Sequence, residues 1–175
     1  MAGYPDTAAG RAESALDLAA RLDHPYSLAY ATFHVTMLDV WNGRLDVAHE
    51  RAGHVLKIAE ENDYAIWKAV GLVVQGVATA GLGDPEQGVE QTERGIAMYQ
   101  SIPSPPIFWP QILGLHAQAC ALAGRTADAL DLFDQAVAVA APGTFDSAAI
   151  KVQKGGGPLD GGRYPGRRTS TPSGV

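Results

Sequence analysis

The chain reads as an all-α protein of about seven helices, folded into antiparallel hairpins that stack side by side as a solenoid. Three observations predict this. A glycine followed five residues later by alanine or glycine occurs at Gly10-Arg-Ala-Glu-Ser-Ala15, Gly43-Arg-Leu-Asp-Val-Ala48, Gly83-Asp-Pro-Glu-Gln-Gly88 and Gly124-Arg-Thr-Ala-Asp-Ala129. The last three phrases begin 40 and 41 residues apart, and the first lies 33 before the second, which marks a repeat array. The segments between them carry apolar residues at spacings of three and four. Alanine, at 29 residues against 4 Phe, 3 Met and 3 Trp, makes the core one of helices approaching closely over small contacts.

Each phrase reads as a helix end, a tight turn and a new helix start. Glycine takes the left-handed conformation that closes a helix. Asp46, Asp84 and Glu86 suit the positive first turn of the next helix, and Pro85 is tolerated where amides lack an intrahelical partner. Residues 8–23 supply the second helix of an incomplete leading pair. A helix over 25–42 is apolar nearly all round and should be sandwiched between neighbours. The helix over 44–62 turns Leu45, Ala48, Ala52, Val55, Leu56 and Ala59 inward, and the apolar helix over 64–82 follows. Over 84–100 the inward residues are Gly88, Thr92, Gly95, Ile96 and Tyr99. Ser101-Ile-Pro-Ser-Pro-Pro106 is a long corner, leading to an apolar helix over 106–123. The last helix, over 126–141, turns Ala129, Leu132, Phe133, Ala136, Val137 and Ala140 inward. Residues 146–153 start a further helical pattern, and residues 1–153 form one repeat domain. Residues 154–175, with seven Gly, three Pro and no Ala, form a solvated tail that buries too little surface to offset its chain entropy.

Length and charge narrow the function. The 175 residues suffice for one ordinary domain. Residues 1–153 carry nine basic and eighteen acidic side chains, while the tail carries four and one, so the acidic body repels phosphate backbones and direct nucleic-acid binding is not expected. The lone Cys120 can form neither an internal disulfide nor a thiolate metal site, which points to a reducing, cytoplasmic setting. No secretion signal or membrane span is legible.

The glycine phrase, the residue four places on (Phe133, Ala52, Thr92) and the small or branched residue three beyond (Ala136, Val55, Gly95) resemble tetratricopeptide repeats. More specifically, Leu22-Asp-His-Pro-Tyr-Ser-Leu-Ala-Tyr30 and Ala59-Glu-Glu-Asn-Asp-Tyr64, with Trp67 and Gly76, resemble the C-terminal repeat region of large bacterial regulators. There an NTPase module precedes such repeats, sometimes with a nucleotide cyclase in front or a LuxR-type DNA-binding domain behind. The resemblance covers roughly residues 8–153. It implies a solenoid of helical pairs that belongs to, or partners, a bacterial signalling and transcription regulator of the cyclase or NTPase kind. The period exceeds the usual repeat length, and beyond Lys154 the chain turns to glycine and arginine. No cyclase, Walker or DNA-reading motif is present, so the resemblance carries none of those activities over.

Candidate chemistry is sparse. His49 and His54 are five residues apart, about 140° round a helix, and do not meet the i, i+4 geometry of a helical zinc site. His34 and His116 lie in apolar helices and read as hydrogen-bonded packing residues. Cys120 reads as a small buried hydrophobe. Gly81-Leu-Gly83-Asp-Pro-Glu86 lacks the strand and the third glycine of a dinucleotide fingerprint. Lys154-Gly-Gly-Gly has the wrong order for a phosphate loop, and Arg163, Arg167 and Arg168 give only a weak, salt-sensitive basic cluster. No catalytic, cofactor or metal residue is expected.

The informative surface is the concave side expected of stacked pairs. In the repeat register it is lined by Tyr30, Phe33, Met37 and Trp41, then Val70, Val73 and Val77, then Gln111, Gly114 and Gln118. Such a strip suits an amphipathic helix or extended peptide; the same residues also suit packing against neighbouring helices or against missing parts of a larger protein, and the apolar end helices leave a homodimer open. Two functions stand side by side. One is a non-catalytic protein-interaction scaffold. The other is a small-molecule sensor in which Trp41, Trp67 and Trp109 stack on an effector.

Overall fold

A computed structural model describes residues 5–103 and 107–140, with side chains from residue 10 onward. These residues form seven helices and no strand: α1 (Pro5–Arg21), α2 (Pro25–Trp41), α3 (Leu45–Glu61), α4 (Ala65–Gly81), α5 (Pro85–Ser101), α6 (Trp109–Leu122) and α7 (Thr126–Val139). The expected all-α character and helix count hold. The helical pattern expected over 146–153 and the solvated tail expected over 154–175 lie outside the described residues.

The turns follow one design. Helices α1 to α5 are each 17 residues long and are joined by three-residue turns, so the chain reverses every twenty residues up to the corner before α6. The middle turn residue has positive φ each time: Asp23, Gly43, Asp63, Gly83 and Gly124. Two bonds close the α2–α3 turn, from Arg44 N–H to Asp39 C=O (2.9 Å) and from Gly43 N–H to Val40 C=O (3.1 Å), the Schellman arrangement that satisfies carbonyls a helix end leaves open. The pattern recurs at Asp84–Thr79 and Arg125–Cys120. Two of the following helices are capped and primed by sequence: Asp84 Oδ1 accepts from Gln87 N–H at 3.2 Å, His24 Nδ1 accepts from Ser27 N–H at 3.2 Å, and Pro25 and Pro85 occupy the first turn.

One expectation is corrected. Gly10 lies inside α1, exposed and with open space around it, and marks no turn. At that end of the molecule the reversals fall at Asp23 and Asp63, because a short acidic side chain tolerates the left-handed conformation almost as a glycine does.

Alternate helices play different parts. Helix α4 packs against α2, α3, α5 and α6, whereas among the described residues the backbone of α1 lies close only to α2 and that of α7 only to α6. The central position of α4 explains why Trp67, Val70, Val73, Val74 and Val77 are fully enclosed. The residues expected inward on α3, α5 and α7 are buried or half-buried, including Ala48, Ala52, Val55, Gly88, Thr92, Gly95, Ala129, Phe133 and Ala136.

Two devices hold neighbours together. Between α4 and α5 the side chains vanish: a Cβ on Gly76 would stand 2.6 Å from Gly88 C=O, one on Gly88 2.5 Å from Gly76 C=O, and one on Gly95 2.7 Å from Ala69 C=O. Backbone lies on backbone, which no larger residue permits. Among α1, α2 and α3 the device is charge. Asp39 of α2 is fully buried and is paired by Arg44 from the turn and by Arg51 of α3 at 2.6 Å; Arg51 also reaches Glu13 of α1 at 2.5 Å. Burial by itself would lower the Arg51 pKa, but the hydrogen bonds and charges of Glu13 and Asp39 outweigh it and hold the guanidinium above its usual value.

No helix among the described residues is long and apolar enough to cross a membrane.

Candidate functional site

The residues expected to line a concave strip divide sharply. Phe33, Met37, Val70, Val73, Val77 and Gln118 are buried, Trp41 and Gln111 are half-buried, and Tyr30 alone stands out, at 50% exposure. The reason is long-range. Phe108, delivered by the corner before α6, sets its ring 5.6 Å from Phe33 of α2 and 5.8 Å from Trp67 of α4, so rings from α2 and from the start of α6 meet over Trp67, while the four helices around α4 bury its valines. Phe108 N–H is itself fixed by donation to Tyr99 Oη at 3.1 Å, which ties the corner to the end of α5.

What remains accessible is the edge of this aromatic cluster. Tyr26 (41% exposed) meets Tyr64 and Trp67 edge-on at 5.2 and 5.3 Å, and Tyr30 meets Trp67 edge-on at 5.7 Å. His34 stacks on Tyr30 at 4.2 Å, with its Nδ1 2.8 Å from Tyr30 C=O; a carbonyl only accepts, so Nδ1 carries the proton. Ile107, at 64% exposure, adjoins Phe108. Tyr26, Tyr30 and His34 thus form an amphipathic rim on a floor of Trp67 and Phe108. Tyrosine presents large contact area with few rotatable bonds, which favours its use in recognition. The rim lies where α2, α4 and α6 begin. Sequence reasoning picked out Tyr30 but missed Tyr26, Ile107 and Phe108, which belong to helix beginnings and a loop that periodicity does not assign to a face.

The three tryptophans are occupied by their own neighbours. Trp67 sits inside the cluster, Trp109 stacks on Tyr99 at 6.2 Å, and Trp41 packs against the main core.

The titratable interior centres on His116. Its Nδ1 lies 2.7 Å from Thr92 Oγ1, which also lies 2.7 Å from Val89 C=O. The single hydroxyl proton goes to the carbonyl, so Thr92 accepts from His116 Nδ1–H and leaves Nε2 bare, 3.8 Å from Cys120 Sγ. Burial lowers the His116 pKa and raises that of Cys120. A neutral imidazole beside a buried, protonated thiol is the reverse of an activated cysteine nucleophile, which needs access and a stabilised thiolate. Of the other histidines, His49 is half-buried and His54 exposed, and the described residues contain no group of three side chains able to hold a metal ion.

Comparison of the chain with protein-family models, with curated proteins and with solved structures finds no match.

Proposed function

We propose that the chain is a non-catalytic protein-interaction scaffold, a solenoid of tetratricopeptide-like helical pairs acting in the cytoplasm as a detached or partner piece of a bacterial signalling regulator. The observation that carries this reading is the rim of Tyr26, Tyr30 and His34: exposed tyrosines and a half-buried histidine held on a buried aromatic floor, with no convergent set of reactive groups beside them among the described residues. The twenty-residue reversals and the packing of each helix on its predecessor support the solenoid, in which every pair contacts only its neighbours. A protein or peptide partner would lay an apolar face on the rim, with the tyrosine hydroxyls supplying polar contacts at its border.

The sensor reading is less well supported, because Trp67 and Trp109 already lie against the protein's own rings and Trp41 packs on the main core. Two measurements separate the readings. Affinity capture with the wild-type chain and with Tyr26→Ser/Tyr30→Ser should enrich one polypeptide with the first and lose it with the second, while the circular dichroism of both stays the same. A metabolite that reproducibly raises the melting temperature of both forms, with no polypeptide captured, would replace the scaffold by the sensor.

A further inference from the structure

Helix α1 buries one stripe and displays another. Ala12 and Ala19 are buried and Leu16 is half-buried, on the side that lies against α2. A quarter-turn or so round the helix, Arg11, Ala15, Leu18 and Leu22 share an arc about 60° wide at about 100° of rotation per residue. Leu22 stays on that arc because its N–H still bonds Leu18 C=O, at 3.1 Å. All four residues are exposed, Leu18 at 54% and Leu22 at 61%. A helix with one neighbour needs one apolar stripe, and α2 already occupies it. Leucines exposed singly need no explanation, but these two are adjacent on one face, and the end of a helical stack that stands against water carries a polar outer face.

Spacing and charge say what fits. Steps of four, three and four residues make the seam of a two-stranded coiled coil, with Ala15 and Leu22 in one core position and Arg11 and Leu18 in the other. A second α1 laid parallel would set Arg11 against Arg11. Laid antiparallel, about a two-fold axis between Ala15 and Leu18, it sets Leu18 over the partner's Ala15 and Arg11 beside the partner's Asp23. There the guanidinium meets a carboxylate and the carbonyl end of a helix, both of which attract a cation. Neither Arg11 nor Asp23 has an ion pair among the described residues. On the flank toward α2 the seam carries only Ala12 and Ala19, small enough to leave α2 in place beside a docked helix.

We propose that the face of Arg11, Ala15, Leu18 and Leu22 joins two copies of this chain in an antiparallel, two-fold dimer. Two heptads are too few for a free coiled coil. Here α1 is already ordered on α2 and tied to α3 through Glu13 and Arg51, so docking costs little further ordering. The dimer carries two tyrosine rims, and the inference does not depend on the scaffold reading.

The test is sedimentation equilibrium on the full chain. The average mass should climb from one chain toward two as concentration rises. Leu18→Glu, at an exposed position, should hold it at one chain while the circular dichroism stays that of the wild type. Arg11→Glu should weaken association about tenfold through two exposed ion-pair contacts. Tyr26→Ser/Tyr30→Ser should leave the dimer intact, so failure of the rim and failure of this face are read separately. Oxidative cross-linking reads the orientation: Ala15→Cys mixed with Leu18→Cys should form the mixed disulfide faster than either variant forms its own, with Cys120 fully buried and silent. A single-chain mass at every concentration, a dimer untouched by Leu18→Glu, or faster cross-linking of each variant with itself overturns the proposal.

Discussion

The α1–α3 region and the α4–α5 hairpin solve the same problem, holding adjacent helices in register, with opposite chemistry. In the first, Asp39 is sealed from water and matched by Arg44 and Arg51, with Glu13 extending the pairing to α1. In the second, Gly76, Gly88 and Gly95 bring main chains into direct contact. The charged device tolerates no missing partner, because a buried ion without its counterion costs more than the pair contributed. The glycine device tolerates no added atom, because a backbone carbonyl cannot step aside as a side chain does.

The largest expected effect breaks the first region. Arg51→Ala leaves the fully buried Asp39 carboxylate with Arg44 alone, whose side chain is 42% exposed, and should destabilise by about 3–5 kcal/mol, read as a lower urea midpoint with an unchanged slope. A midpoint of Arg51→Ala within error of wild type would mean that water reaches Asp39 and the network is ornamental. Next, Gly88→Val forces methyl groups into the Gly76 carbonyl and should cost about 3 kcal/mol, detected in the same titration. Together these variants sharpen the comparison, since the two sites share no partner and their effects should add.

An intermediate effect depends on pH and concerns the α5–α6 contact. Burial lowers the His116 pKa below its ordinary value of 6.5, so on acidification the unfolded chain takes up a proton that the folded chain refuses. The stability His116 confers is complete above pH 6.5 and is lost as pH falls from there through the lower folded-state value. The urea midpoint should therefore drop between about pH 7.5 and about pH 5.5 by more in the wild type than in His116→Gln; equal drops would place the histidine in water. The smallest effect reverses the sign. Gly53 on α3 has only Gln75 Nε2 near an added methyl, at 3.9 Å, so Gly53→Ala should stabilise by about 0.5–1 kcal/mol through helix propensity. Loss of stability there would show that α3 and α4 also need bare backbone.

These contrasts show where sequence reading reaches and where it stops. Gly43, Gly83 and Gly124 announce their turns because positive φ selects glycine. Asp23 and Asp63 do the same work silently, since aspartate is common for other reasons, and Gly10 misleads because a glycine also sits harmlessly on an exposed helix face. The inward stripe of Gly88, Thr92 and Gly95 was legible from periodicity. The proposed strip was not, because periodicity says that Val70, Val73 and Val77 face inward without saying what lies on top of them. The answer is set by tertiary packing: four helices surround α4, and Phe33 and Phe108, 75 residues apart, close over Trp67 at its start. Asp39 carries one readable signal, a lone carboxylate in an otherwise apolar helix, with Arg51 twelve residues on, across the turn at Gly43.

Each helix stacks upon its predecessor, so that α4 is enclosed by four neighbours and the outermost described helices by fewer. Native-state amide hydrogen exchange tests this most directly. It should find opening free energies highest in α4 and α5, close to the global value, and falling outward through α2 to α1. Uniform protection across all seven helices, or slower exchange in α1 than in α4, would contradict it.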